Sequence, residues 1–360
     1  MHLLINTGGG DAPGLNAVIR AVTLSALRRG FRVTGVRRGY SGLLEGEQGL
    51  VRLDRDMVRG ITDRGGTILG TVSRGQPFEF PSRGPDGAVT VSDVSDRVMQ
   101  GFKSVEADGL IALGGDGSLG IAARFRDKGM PVIFVPKTID NDLGGTEATF
   151  GFDSAMSFAT DAVTRLHSTA EAHGRVMVVE LMGRYAGWLA LHAGLAGAAH
   201  AILIPEIDFD WEVVCASVTH RWETGRPFAV VVVAEGAKPK GSSFLVVRKE
   251  ALREPTLGGI GALVADRIAE RTGFETRSLV LGHLQRGGPP TPADRLLSLR
   301  YGAEAVRLAA AGQWGRMVSW RPPRMTSVSL DEALAHTHPV PLDDDCIATA
   351  RDFGVCLGDR

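Results

Sequence analysis

Short apolar runs that do not alternate with polar residues recur along this chain, each followed by a glycine-rich turn and then an amphipathic segment. Leu3-Leu4-Ile5 leads into Thr7-Gly8-Gly9-Gly10-Asp11-Ala12-Pro13-Gly14 and a helix-like stretch over 15–29. Residues 109–113 lead into Gly114-Gly115-Asp116-Gly117-Ser118 and a predicted helix to Lys128. Residues 131–135 run into Pro136-Lys137-Thr138-Ile139-Asp140-Asn141-Asp142. The run 175–181 enters Met182-Gly183-Arg184 with a helix near 186–196, and the run 228–234 ends at Glu235-Gly236. The last of them, 278–281, ends at Gly282-His283-Leu284-Gln285-Arg286-Gly287-Gly288. Strands without alternation, separated by helices, make a parallel sheet covered on both faces. The polar motifs then fall at the carboxyl edge, where doubly wound sheets bind ligands.

A chain of 360 residues suggests about two domains at roughly 150 residues each. Its formal charge is -1, so no basic excess advertises nucleic acid or an anionic membrane. Any bound anion has to be held by local Arg, Lys and backbone amides. Cys215, Cys346 and Cys356 are odd in number and scattered; they form neither a disulfide framework nor a zinc pattern, which reads as a reducing cytoplasm. The N-terminus has no signal-peptide pattern, and the longest apolar run, 228–234, is too short to cross a bilayer. Residues 74–96 read as a hairpin or surface excursion, and the tail from Trp320 onward as packing.

The first glycine turn brings free N–H groups and a helix start together, which attracts phosphate. It departs from the dinucleotide fingerprint at Pro13 and from the Walker pattern at Asn16, so alone it serves equally as a bare turn. In Gly114-Gly115-Asp116-Gly117-Ser118 the glycines let backbone approach a triphosphate, and the carboxylate can hold Mg²⁺; an exposed turn is the even alternative. Thr138-Ile139-Asp140-Asn141-Asp142 is more telling. Two carboxylates two residues apart in an extended segment point the same way, and the segment follows a buried strand. One can deprotonate a hydroxyl while the other shapes the charge around it, which is what phosphoryl transfer asks of a protein. Arg74, Arg175, Arg184, Arg277 and Arg286, with His283, supply donors suited to phosphate. His167 and His173, six residues apart, face different sides of a helix and do not form a metal pair.

Read together, these motifs resemble the phosphofructokinase family, from Gly9 to beyond Asp294. The resemblance implies an α/β fold of two Rossmann-like lobes with mainly parallel sheets and the active site in the cleft between them. The donor lobe would comprise 1–151 plus 285–335, and the sugar-phosphate lobe 152–284 plus 336–360. The implied activity is transfer of phosphate from ATP-Mg to the C1 hydroxyl of fructose 6-phosphate. Asp140 is implied as general base, with Thr138, Asp142, Arg184 and Arg74 completing the catalytic centre. Gly10, Gly114, Gly115, Gly117, Ser118 and Lys137 would cradle the donor, and Asp116 would hold Mg²⁺. Met182, Gly183, Arg184, Glu235 and Arg286 match positions that hold the sugar; Arg175, Arg277 and His283 match the 6-phosphate clamp. Arg175 and Arg277 would reach in from a neighbouring subunit, so a homo-oligomer, tetramer or dimer, is implied.

Gly117 favours ATP over pyrophosphate on sterics, because an aspartate there would block the α-phosphate, whereas Lys137 resembles the pyrophosphate enzymes. Arg20 fits the basic cluster of the regulated bacterial enzymes' effector site, but His200 and His167 stand where that site has a glutamate and an arginine. This argues against control by ADP or phosphoenolpyruvate in the bacterial manner. A nicotinamide oxidoreductase lacks its ribose-binding acid, since that region offers only Gly30-Phe31-Arg32-Val33. A lipid or NAD kinase would not need the 138–142 loop. A sugar-phosphate sensor would have little reason to keep Asp116 and Asp140.

Overall fold

Every residue of the first strand, β1 (His2–Thr7), is buried, and its side chains divide between two helical layers. Leu3 and Ile5 share a core with Val18, Ile19 and Val22 of α1 (Leu15–Arg28) and with Tyr301 and Val306. Leu4 shares the opposite core with Val98, Phe102, Leu119 and Phe125. A strand covered on both sides leaves no position for water, which is why its sequence does not alternate.

The computed structural model describes residues 1–72, 76–83, 89–243, 246–248 and 256–360. After α1 come β2 (Arg32–Val36), β3 (Leu50–Leu53), β4 (Phe80–Arg83), β5 (Val89–Ser92), α2 (Ser95–Ser104), β6 (Gly109–Gly114), α3 (Asp116–Asp127), β7 (Val132–Thr138), β8 (Phe150–Gly151) and α4 (Phe152–His173). The chain continues through β9 (Val176–Leu181), α5 (Trp188–Ala196), β10 (Ala201–Leu203), α6 (Trp211–Glu223), β11 (Ala229–Ala234), β12 (Val246–Arg248) and β13 (Thr256–Leu257). It closes with α7 (Ile260–Thr272), β14 (Thr276–Val280), α8 (Pro292–Ala310), β15 (Arg316–Arg321), β16 (Arg324–Ser329), α9 (Leu330–Ala335) and α10 (Asp345–Asp352).

The chain forms two compact units. The first comprises Met1–Ile139, Leu143–Asp153 and Arg286–Thr337. Its sheet runs β16-β15-β7-β6-β1-β2-β3, with β8 beside β7. The interior pairs are parallel, and antiparallel pairs occur only where β3 and β16 close the edges. From β1 the chain moves to β2 on one side, then returns to place β6 on the other. The strand order therefore reverses between β1 and β6, the position where such sheets open a crevice for ligands. Helices α1 and α8 cross closely: a Cβ on Gly302 would lie 2.7 Å from Ala21 Cβ and 2.8 Å from the Val18 carbonyl. The hairpin read in residues 74–96 is the antiparallel pair β4–β5.

The second unit comprises Asp140–Asp142, Ser154–Gln285 and His338–Arg360. Its sheet, β10-β11-β9-β14, is parallel throughout. Val178, Val231 and Val233 share a core with Val214 and Val218 of α6 and Ile260, Val264 and Ile268 of α7. Asp140–Asp142 lie in sequence among residues of the first unit, yet belong with the second.

Candidate active site

In the first unit two glycine turns meet at the switch point. The turn after β1 is tied to the end of β6, where the Gly8 N–H donates to the Leu113 carbonyl at 2.8 Å. Ser118 fills the space between the turns. A Cβ on Gly8 would lie 2.9 Å from Ser118 Oγ, and one on Gly114 would lie 2.2 Å from Ser118 Cβ, so Gly114 has no room for a side chain and one at Gly8 would require Ser118 to turn aside. Behind them begin α1, whose cap is Gly14 at φ 108, and α3, whose cap is Gly115. Neither helix start receives a side-chain cap. Their first N–H groups and dipoles are therefore available to an anion. Asp116, exposed at the start of α3, places one carboxylate beside these donors. A Cβ on Gly117 would meet nothing within 4 Å, so the backbone there opens onto free space.

Three side chains set the floor of this crevice. Lys137, only 3% exposed, donates from Nζ to the Gly10 carbonyl. Arg286 lies against Gly10, with Nη1 donating to the Asp11 carbonyl at 3.1 Å. Thr71 donates from Oγ1 to the Gly9 carbonyl at 2.6 Å, so the 67–71 segment lies over the first turn. Thr138 ends β7, where its carbonyl accepts from Thr149 Oγ1 at 2.8 Å. Arg74 lies outside the described residues.

In the second unit the loops after β9 and β11 are locked to each other. Glu235 N–H donates to the Leu181 carbonyl at 2.8 Å, and Gly236 N–H to the Gly183 carbonyl at 3.1 Å. Met182, Gly183 and Arg184 are thus brought beside Glu235. Gly183 has φ 131, and a Cβ on Gly236 would sit 1.9 Å from the Arg184 carbonyl. Asp140 is half-buried and Asn141 buried, the latter in a left-handed conformation at φ 53.

The clamp residues fall into two places. Arg175 precedes β9 and Arg277 is the second residue of β14, and both pair with one carboxylate oxygen of Glu275, at 3.1 Å and 2.8 Å. They occupy the amino edge of the sheet. His283 follows β14 at the carboxyl edge, exposed. Within one chain, Arg175 and Arg277 are therefore grouped with each other and apart from His283, Arg184 and Glu235.

Of the effector-like residues, Arg20 donates from Nη1 to the Val58 carbonyl at 2.8 Å. His167 and His200 stack edge to face in the second unit at 5.3 Å. His200 Nδ1 accepts from the Val230 N–H at 2.9 Å. Burial, with Arg221, His167 and Arg226 nearby, holds its pKa down to about 3.

Two carboxylates escaped the sequence reading, Glu180 buried and Glu206 half-buried. Glu206 accepts from the Gly187 N–H at 2.9 Å and from the Val340 N–H at 2.8 Å. Glu180 accepts from Gly261 N–H at 2.8 Å and Gly259 N–H at 3.3 Å, at the start of α7. Burial raises both pKa values while these N–H donors oppose it. An acid inside the run Val-Met-Val-Val-Glu-Leu, and another directly after Ile204-Pro205, were the signals available. Among the described residues no group of three or more His, Cys, Asp or Glu is gathered for a metal. A cation would fit here as Mg²⁺ usually does, on one carboxylate, substrate phosphates and water; exposed Asp116 beside open Gly117 suits that mode.

A doubly wound sheet with two uncapped helix starts at its switch point defines an α/β protein of the class that receives anionic ligands at a crevice. The family model described as Phosphofructokinase matches residues 2–309, and the chain belongs to the phosphofructokinase family. It is 49% identical to an ATP-dependent 6-phosphofructokinase of Chloroflexus aurantiacus, over 98% of this chain and 97% of that protein. It is 47% identical to a pyrophosphate–fructose 6-phosphate 1-phosphotransferase of Amycolatopsis mediterranei, over 95% and 97%. Among solved structures, a phosphofructokinase from Pichia pastoris matches with a TM-score of 0.79 and 32% identity. That match covers 93% of this chain and 35% of the longer yeast chain.

Proposed function

We propose that this protein is an ATP-dependent 6-phosphofructokinase, moving the terminal phosphoryl group of ATP onto the C1 hydroxyl of fructose 6-phosphate. The first unit takes the donor, along Gly10, Gly114, Gly115, Gly117, Ser118 and Lys137, and the second takes the sugar phosphate. The observation that carries the choice of ATP is the open space at Gly117, which leaves the approach to a third phosphate clear. Asp116 would hold magnesium together with phosphate oxygens, and the ion would supply charge neutralisation over the transferring group. Asp140 takes the C1 hydroxyl proton, with Thr138 and Asp142 beside it. Arg184, with Arg74, holds the charge that develops, and Arg286 contributes to the seat of the sugar. Met182, Gly183 and Glu235 shape the seat of the sugar.

Arg175 and Arg277 serve the 6-phosphate of a neighbouring subunit's sugar in a homo-oligomer, dimer or tetramer, alongside that subunit's His283. Their shared place at the amino edge, away from Arg184 and Glu235, supports this role. No helix among the described residues is long and apolar enough to cross a membrane. Three free cysteines support a cytoplasmic setting.

Pyrophosphate as donor is the second reading, favoured by Lys137 at the floor of the crevice and by the relative from Amycolatopsis mediterranei. Initial rates with fructose 6-phosphate and Mg²⁺, ATP against pyrophosphate, decide between them. Turnover with ATP alone supports the first reading; turnover with pyrophosphate alone replaces it.

A further inference from the structure

The turn that carries Asp140 is braced by a residue almost two hundred positions later. Residue 141 lies in the left-handed region, φ 53, so its peptide planes set the direction in which Asp140 and Asp142 leave the turn. The Asn141 carbonyl accepts from His338 Nδ1 at 2.8 Å. Because a carbonyl only accepts, the hydrogen resides on Nδ1. The His338 backbone N–H donates to the Asp142 carbonyl at 2.9 Å. One residue thus holds the peptide groups on either side of Asp142.

His338 is itself anchored. Its carbonyl accepts from Trp188 Nε1 at 2.8 Å, and its ring lies on the Trp188 ring at 5.0 Å and 33°. Trp188, 7% exposed, is the first residue of α5 and follows Gly187, which Glu206 grips. The same carboxylate binds the Val340 N–H two residues past His338. The 338–340 segment is thereby fastened to the start of α5, directly after the Met182–Arg184 loop, and in turn fastens the acid turn.

We propose that His338 is a positioning residue for Asp140, and that the 338–340 segment gives the acid turn and the sugar loop one common support. The proposal rests on Asp140 being the general base. A proton acceptor displaced by about 1 Å can lose about 10²-fold in rate, so hydrogen bonds that fix the turn carrying it act on kcat. Through the Nδ1–H bond to the Asn141 carbonyl, His338 acts on the turn that carries Asp140.

The test compares two neutral amides in the full-length protein. Asn places its side-chain nitrogen close to where Nδ1 stands; Gln carries it one carbon further out. His338→Asn is expected to keep kcat within about threefold of wild type. His338→Gln is expected to lower kcat by about 10- to 100-fold, with both KM values within about threefold. Combined with Asp140→Asn, His338→Gln should cost little more than Asp140→Asn alone, because the two act on one step. The proposal is overturned if Gln is as active as Asn, if Asn is as damaged as Gln, or if Gln lowers the residual rate of Asp140→Asn by its full factor. A fully active Asp140→Asn would show instead that the base assignment failed, and the role of His338 would fall with it.

Discussion

A side chain at position 117 would enter the path of the donor. Gly117→Asp is expected to lower kcat/KM for ATP by about 10²-fold or more, since a carboxylate within about 4 Å of a phosphate opposes it by several kcal/mol even when partly screened. Steady-state rates across ATP concentrations measure this; unchanged ATP use would remove Gly117 from donor selection. Asp140→Ala should cut kcat by about 10² to 10⁴ with KM little altered, and a variant of full activity would end the base assignment. His200 makes a different prediction, one about stability. Its folded pKa, about 3, lies below the unfolded value, so the unfolded chain binds the extra proton first. Stability contributed by the neutral imidazole is present above about pH 6.5 and is lost as pH falls toward 3. His200→Asn keeps an acceptor for the Val230 N–H and removes the titration, so its urea midpoint should depend less on pH across that window. The turns at Gly8 and Gly114 and the loop at Asp140 were legible in the sequence because each follows a buried strand. Glu180, Glu206 and His338 were not, because their partners are decided only when distant segments fold together.

The strands that could be read were β1, β6, β7, β9 and β11, buried on both faces, and the end of β14, whose apolar run 278–281 was read as covered although β14 is largely exposed. β10 is three residues long and β15–β16 half-polar at the sheet edge, so their patterns carry little signal. The tail from Trp320 onward, read as packing, supplies β16 and the 338–340 segment, whose purpose has no local signature. At the crossing of α1 and α8 the sequence offered only Tyr301-Gly302 within a long helix. Gly302→Ala should destabilise by about 1–3 kcal/mol through overpacking, since the added methyl meets backbone and Ala21. A lowered urea midpoint with kcat/KM retained is the expected result; an unchanged midpoint would mean the two helices separate freely.

For the whole molecule, the placing of Arg175 and Arg277 has a direct consequence. If they serve a neighbour, chains defective in different parts should repair one another. Equal mixtures of Asp140→Asn and Arg277→Ala, unfolded and refolded together, should recover activity at low fructose 6-phosphate that neither has alone. Activity no higher than the sum of the two parents would place the clamp within one chain. The bracing of the acid turn by His338 also bears on how the protein comes into being. The turn is synthesised 197 residues before the imidazole that holds it. At about 5–20 residues per second, a growing chain carries its acid turn for about 10–40 s without that support. Until residue 338 has been made and has folded back onto the turn, a nascent polypeptide presents Asp140 without the brace that sets its full rate.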